Sequence, residues 1–436
     1  MARFDILTAN DRPGQYPASW YAATARPPGP FAPARGDLRC DVCVVGAGYT
    51  GLSAALHLAR RGYDVVVLEA QRVGFGASGR NGGQVGTGQR LGQDELEAML
   101  GRDAARRLWA LSLEAVQMVR ELCAEGEMGC GFAQGIIHAD HRRRLVAHTH
   151  AQVRKLNEEY GYGGIRPLNQ EEIRHLVGSD AYFGGALDIG AGHVHPLRYA
   201  FGLARLAAAA GARIFETSRV VRIEEASPAR LQTETATVRA DHVLLACNGY
   251  LDGLHRQVAV RVMPINNFIV ATEPLGAAAA RALIRDNRAV ADSKFVINYF
   301  RLSEDNRLLF GGGESYGYRF PRDIATVVRK PMLEIFPQLR GTRIDYAWGG
   351  TLAITMNRMP HFARLRGNIL SASGYSGHGV ALATLGGRLM AEAVAGQAER
   401  FDLMASVPTP RFPGGMLLRK PLLALAMLWY SLRDRL

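Results

Sequence analysis

Residues 40–70, CDVCVVGAGYTGLSAALHLARRGYDVVVLEA, restrict the fold more than any other stretch of the 436-residue chain. Val42, Val44 and Val45 make a short apolar run, and Leu52, Ala55, Leu56 and Ala59 then recur at helical spacing until Gly62. Val65, Val66, Val67 and Leu68 form a second apolar run. The pattern predicts strand, helix, strand, a βαβ unit. At the first junction Gly46, Gly48 and Gly51 stand in G-x-G-x-x-G register, with Ala47, Tyr49 and Thr50 between them. The first glycine permits the turn, the second lets backbone approach a pyrophosphate, and the third packs helix against strand. Glu69, followed by Ala70, ends the second strand about 20 residues on, where a carboxylate accepts hydrogen bonds from ribose hydroxyls. A bare turn needs none of this context. The features in order mark a dinucleotide site, and the acid selects an unphosphorylated ribose, that of NAD or of the adenosine half of FAD.

The next segment separates those two. QRVGFGASGRNGGQVGTG (71–88) is glycine-rich, polar and much longer than an ordinary strand-to-helix connection. An extended FAD would order it. Backbone N–H groups around Gly76, Ala77, Gly82 and Gly83, with the side chains of Ser78, Arg80 and Asn81, suit pyrophosphate, ribityl and isoalloxazine edges.

The length suggests two or three domains. A formal net charge of +12 favours anionic partners. Nucleic acid is the weakest of these, because RRR at 142–144 has neither a recognised binding fold nor interleaved aromatics. The five cysteines, Cys40, Cys43, Cys123, Cys130 and Cys247, are odd in number and scattered, which argues against a disulfide framework and for a reducing compartment. Cys40 and Cys43 enter the first strand with no second pair at zinc spacing, so a buried strand is expected there and no metal. No basic stretch followed by an apolar core opens the chain, and a cytoplasmic protein is expected.

Taken together, the fingerprint, GASGRNGGQV (76–85) and GYSGHGVALATLGGRLMAEAVAG (374–396) resemble the FAD-dependent amine and amino-acid oxidoreductases of the D-amino-acid oxidase superfamily, and within it the gamma-glutamylputrescine oxidase branch. The likeness runs from SWYAAT (19–24) to residue 395. It implies an α/β protein with a Rossmann-like FAD-binding domain (37–130, 191–257 and 349–400) and a discontinuous α+β substrate domain on a mixed or antiparallel sheet (131–190 and 258–348). An N-terminal arm (1–36) and a C-terminal tail (401–436) complete the chain. It also implies that Val220 or Val221 presents backbone to the adenine and that the turn Cys247, Asn248, Gly249 lies beside the cofactor. The loop Gly374, Tyr375, Ser376, Gly377, His378, with Gly379 and Val380 opening a helix, would face the flavin, as would Gly350. The residues alone predict helices over 94–100 and 104–125, a capping box at Asn169 and Glu172, and a helix opened by Pro196 and ended before Gly211.

The implied chemistry is oxidation of a carbon–nitrogen bond. A neutral amine is presented with its C–H aimed at the ring, hydride leaves, the imine hydrolyses to aldehyde and ammonia, and electrons passed to oxygen yield hydrogen peroxide. The alternative is a membrane-associated dehydrogenase that uses a quinone or protein as acceptor. His195, in GHVHP, is a candidate for tuning amine protonation or a structural histidine. Tyr299 and Arg301 share one face of a strand, a pairing that suits an amine with a distal carboxylate or a solvated strand. His378 is expected at the flavin edge, and Trp348 at the ring or in the core. No cysteine follows Cys247, so the FAD is expected to be noncovalent, and RLLFGG (307–312) holds no lysine like that which activates oxygen in some relatives. In the tail, Leu422 to Tyr430 is apolar but too short to span a bilayer. Arg419, Lys420, Arg433 and Arg435 bracket it and Trp429 and Tyr430 sit at one end, which suits peripheral contact of 416–436 with an inner membrane face. Docking on its own protein or on a second subunit also explains an all-round apolar helix.

Overall fold

The computed structural model describes residues 5–126, 128–315 and 317–415. Its first sheet grows from the βαβ unit. Gly36–Val45 pairs in parallel with Val65–Leu68 on one side and with Ala236–Leu245 on the other. The path continues to Ile369–Ser373 and His361–Arg366 beyond Ala236–Leu245, and to Arg213–Phe215 beyond Val65–Leu68. Both faces are covered, so the strands are apolar without alternation, and all four residues of Val65–Leu68 are buried. Helices Tyr49–Ala59, Arg102–Glu125, Pro196–Ala209 and Gly379–Val394 share the core on one face. The first and last of these touch so closely that a Cβ at Gly387 would lie 2.3 Å from Thr50 O. That contact sets the 374–379 loop beside the glycine fingerprint, although more than 300 residues separate them in the chain.

The second sheet has nine strands among the described residues. Its path is Ile344–Ile354, Met263–Thr272, Leu308–Ser315, Tyr299–Leu302, Ala289–Asp292, Ala133–Ala139, Gly185–His193 and Gln84–Val85, with Ile165–Leu168 added on Gly185–His193. The pairs are antiparallel except Ala289–Asp292 with Ala133–Ala139. Side chains alternate. Phe268, Val270, Phe300 and Phe310 face an outer core closed by Val328 and Met332 of the Ile324–Ile335 helix. Ile269, Leu309 and Trp348 turn inward and join the core of the cofactor-side helices. The boundary expected between 348 and 349 falls inside the Ile344–Ile354 strand, and Gln84–Val85 belongs to the second sheet. The glycine-rich loop therefore crosses from one sheet to the other.

The expected helices appear as Gln93–Leu100, Arg102–Glu125 and Pro196–Ala209. The capping box closes with Glu172 N–H donating to Asn169 Oδ1 and Asn169 N–H to Glu172 Oε2, both at 2.9 Å. Cys40 and Cys43 are buried free thiols in the first strand. Cys123 and Cys130 are joined as a disulfide. One bridge is no framework, and the sequence reading assigned none of the five cysteines to a bridge. A spacing of seven residues carries no signal by itself. No helix of the described residues is long and apolar enough to cross a membrane. The expectations for 416–436 lie outside the described residues.

Candidate active site

The cradle is built by backbone. Gly46 adopts φ +107°, and a Cβ there would meet Ala246 O at 2.9 Å. A Cβ at Gly51 would lie 1.8 Å from Gly46 O, so helix and strand can touch only through glycine. A Cβ at Gly48 would lie 2.9 Å from Ser78 Oγ, and that hydroxyl accepts a hydrogen bond from Tyr49 N–H at 3.0 Å. The loop thus caps a glycine-lined helix N-terminus, a setting suited to a diphosphate. Glu69 Oε2 accepts from Ala47 N–H at 2.7 Å and Oε1 from Gln71 N–H at 2.8 Å. Burial pushes its pKa up to about 7. Its remaining lone pairs are free to accept from hydroxyls.

A cavity of about 590 Å³ opens here. Of the expected residues, Gly46, Ala47, Gly48, Glu69, Ala70, Gly76, Ala77, Ser78, Val220, Val221, Cys247 and Asn248 line it. Val221, 54% exposed, offers apolar surface at its edge. Burial pushes the Cys247 thiol up to about 12, which leaves it a poor nucleophile. The glycine cradle, the oriented carboxylate and the apolar edge fit the adenosine diphosphate part of FAD. Thr50 lies behind the cradle, its hydroxyl 2.8 Å from Tyr375 OH. Gly249 packs under Leu352 O.

The sequence reading gave the N-terminal arm no part in this site, yet Asp5 and Leu7 line the cavity. The Asp5 carboxylate pairs with Arg219 at 2.5 Å, Gln71 Nε2 donates to Leu7 O at 3.1 Å, and Tyr16 OH donates to Val73 O at 2.8 Å. Further along, Asp11 pairs with buried Arg80 at 3.0 Å, while Asn10 donates to Tyr318 O at 2.7 Å and accepts from Phe320 N–H at 2.7 Å. The arm ties the two sheets together across the cofactor cavity. Nothing in its unpatterned, proline-rich sequence signals this.

The remaining loop residues are tied into the inner wall. Arg80 donates to Phe75 O and Gly349 O, accepts from Trp348 Nε1 through its own carbonyl at 3.1 Å and, among the described residues, keeps Nη2 without a partner. Gly350 packs under its Cβ. Asn81 binds Ala77 O and Ser78 O and accepts from Gly83 N–H, knotting the turn. Gly82 lies flat on the Tyr299 ring. Across the cavity, Gly374 N–H donates to Asn248 Oδ1 at 2.9 Å, and Ser376 and Gly377 hold positive φ before the helix begins at Gly379 and Val380. His378 ends that turn, its Nε2 3.1 Å from Thr87 O and its ring against Gly86. Burial, with Arg90 and His138 nearby, lowers its pKa to about 4. The ring is neutral near neutral pH.

Two candidates have structural work. His195 caps the Pro196–Ala209 helix, its Nδ1 accepting from Arg198 N–H at 3.2 Å and its Nε2 3.0 Å from Thr24 Oγ1. Burial lowers its pKa to about 2, so it does not titrate near neutral pH. Arg301 is buried and donates to Gly82 O, Leu302 O and Val194 O, with Tyr21 OH 3.4 Å away. Its guanidinium ties loop to sheet and is not presented to a carboxylate. Tyr299 does face inward and its hydroxyl donates to Asn267. Trp348 packs on Tyr21, ring centres 5.1 Å apart. The sequence reading missed His138, exposed on the same inward face, although GIIHAD (135–140) sets one polar residue into an apolar strand.

Comparison with known proteins agrees with this geometry. Residues 41–393 match the family described as FAD dependent oxidoreductase. The chain is 44% identical over 423 residues to the gamma-glutamylputrescine oxidoreductase of Escherichia coli (strain K12), covering 97% of this chain and 99% of that protein. It is 42% identical over 420 residues to a probable oxidoreductase, OrdL, of Rhizobium meliloti (strain 1021), covering 96% and 97%. Among solved structures, glycine oxidase from Geobacillus kaustophilus superposes with a TM-score of 0.71 at 23% identity, over 85% of this chain and 99% of that one. Cradle, sheet pair and full-length match converge, and the chain belongs to the FAD-dependent oxidoreductase family of which the D-amino-acid oxidase fold is the architecture.

Proposed function

We propose that this FAD-dependent enzyme oxidises the terminal CH–NH2 of a gamma-glutamylated diamine. The observation that carries the reading is the 44% identity, over nearly the whole of both chains, to a relative named for gamma-glutamylputrescine. Bound FAD supplies a two-electron hydride acceptor. The protein's own part is to bind the amine as its neutral form, aim one C–H and exclude bulk water. Loss of hydride leaves an iminium ion, which gives up a proton to become the imine, and water then gives aldehyde and ammonia. With oxygen as electron acceptor hydrogen peroxide forms as well. The neutral ring of His378 supports this reading, since it adds no cation of its own beside the incoming amine.

The acceptor is tested by running oxygen consumption beside dye reduction with the same amine. Stoichiometric peroxide with oxygen supports the oxidase. Dye reduction without oxygen uptake overturns that part and points to another acceptor.

A further inference from the structure

We propose that His138, Ala291 and Tyr299 form the specificity wall of the amine site: His138 accepts a hydrogen bond from the reacting amine, and Ala291 keeps open a slot for one unbranched alkyl chain. The assignment rests on the amine-oxidising reading above.

Strand register puts these residues in one row. Ala186 pairs with His138, His138 with Ala291, Ala291 with Tyr299, and Tyr299 with Gly311. Residues paired across neighbouring strands share a face. Their neighbours Ile137, Val290, Phe300 and Phe310 belong to the outer core, so the row itself points inward, toward the cofactor-side domain. Between the two rings the wall carries a single methyl group, and on either flank only Ala186 and Gly311. Two strand spacings, roughly 9.5 Å between backbones, separate His138 from Tyr299. With both rings projecting, the gap between them suits a single methylene chain.

Tyr299 is a fixed flank. A Cβ at Gly311 would lie 2.1 Å from its ring and one at Gly82 2.7 Å, so only glycine lets the ring sit there. His138 is the open flank. It is exposed, and among the described residues no hydrogen-bond partner takes either ring nitrogen. Atoms packed around the ring nevertheless lower its pKa. Asp188, from Gly185–His193, and Asp140, just after its own strand, act in the opposite direction but are the smaller influences. From the loops, His378 lies within electrostatic reach of it, with Arg90 acting on His378 in turn. A neutral imidazole offers an acceptor nitrogen, which matches an amine N–H. The electrostatic contact with His378 also brings the row to the turn that opens the Gly379–Val394 helix.

The test uses purified holoenzyme, with anaerobic bleaching by gamma-glutamylputrescine and calorimetric binding of the corresponding non-oxidisable linear alcohol. His138→Ala is expected to weaken alcohol binding and lower kcat/KM roughly tenfold, the effect of losing one hydrogen bond, while His138→Gln recovers part of the loss. Ala291→Leu is expected to raise KM and weaken the alcohol by roughly 10- to 100-fold through overpacking of the slot. FAD content and thermal midpoint should match wild type in all variants. Variants that bind alcohol and bleach like wild type overturn the wall alone. A wild type that no amine bleaches overturns the functional reading, and the wall with it.

Discussion

Glu69 carries a cost that only the cofactor explains. Burial raises its pKa to about 7, well above the unfolded value of about 4.3. Between those values the native apoprotein binds more protons than the unfolded chain, so its stability falls as pH rises through this window. We predict that Glu69→Gln raises the melting temperature of the apoprotein near pH 8.5, changes it little near pH 4, and weakens FAD retention at both. Thermal scans and FAD titration check this. A variant that melts like wild type near pH 8.5 contradicts it. His195 and Arg301 show what sequence reading can confuse. A histidine before Pro196 and an arginine on an inward face look like site chemistry, but the one caps a helix and the other spans three carbonyls. His195→Ala should cost about 1 kcal/mol of stability, the value of a cap, and leave the pH profile of turnover unmoved. Arg301→Ala should lower thermal stability and depress all amine donors alike. Selective loss of carboxylate-bearing donors would restore Arg301 to the substrate site.

At the scale of elements, the βαβ unit and the helix after Gly379 were legible because each repeats a strong local signal: apolar runs, glycines at fixed spacing and helical periodicity. The inner wall was not legible. Its row joins strands from residues 133–139, 289–292, 299–302 and 308–315, and register between such strands is set by packing that no local pattern displays. The arm was hidden for a related reason, since its contacts are long-range pairs made by an irregular segment. Asp11→Ala would strand the buried Arg80 cation, a loss of about 3–5 kcal/mol for a buried pair. We predict a lower melting temperature and faster FAD loss for that variant, followed by stopped-flow release into excess apoflavoprotein. Asp5→Asn, at the more exposed pair with Arg219, should speed FAD loss with a smaller change in stability. Unchanged release in both variants would detach the arm from cofactor retention.

For the molecule as a whole, the first sheet supplies the cofactor site, the second supplies a wall, and the loop over 71–88 and the N-terminal arm stitch them together. Cys247 lines the part of the cavity that fits the adenosine diphosphate, and no cysteine follows it in the chain. Acid denaturation should therefore release intact FAD into solution, and flavin that stays with the precipitated polypeptide would contradict this. The proposed activity is oxidation of a gamma-glutamylated diamine. Its most direct test is anaerobic bleaching of the holoenzyme by an amine panel, read at the flavin visible band without assuming any acceptor. Gamma-glutamylputrescine is expected to bleach the flavin faster than sarcosine, glycine or simple D-amino acids. Faster bleaching by glycine, sarcosine or a D-amino acid, or none by gamma-glutamylputrescine, would contradict it.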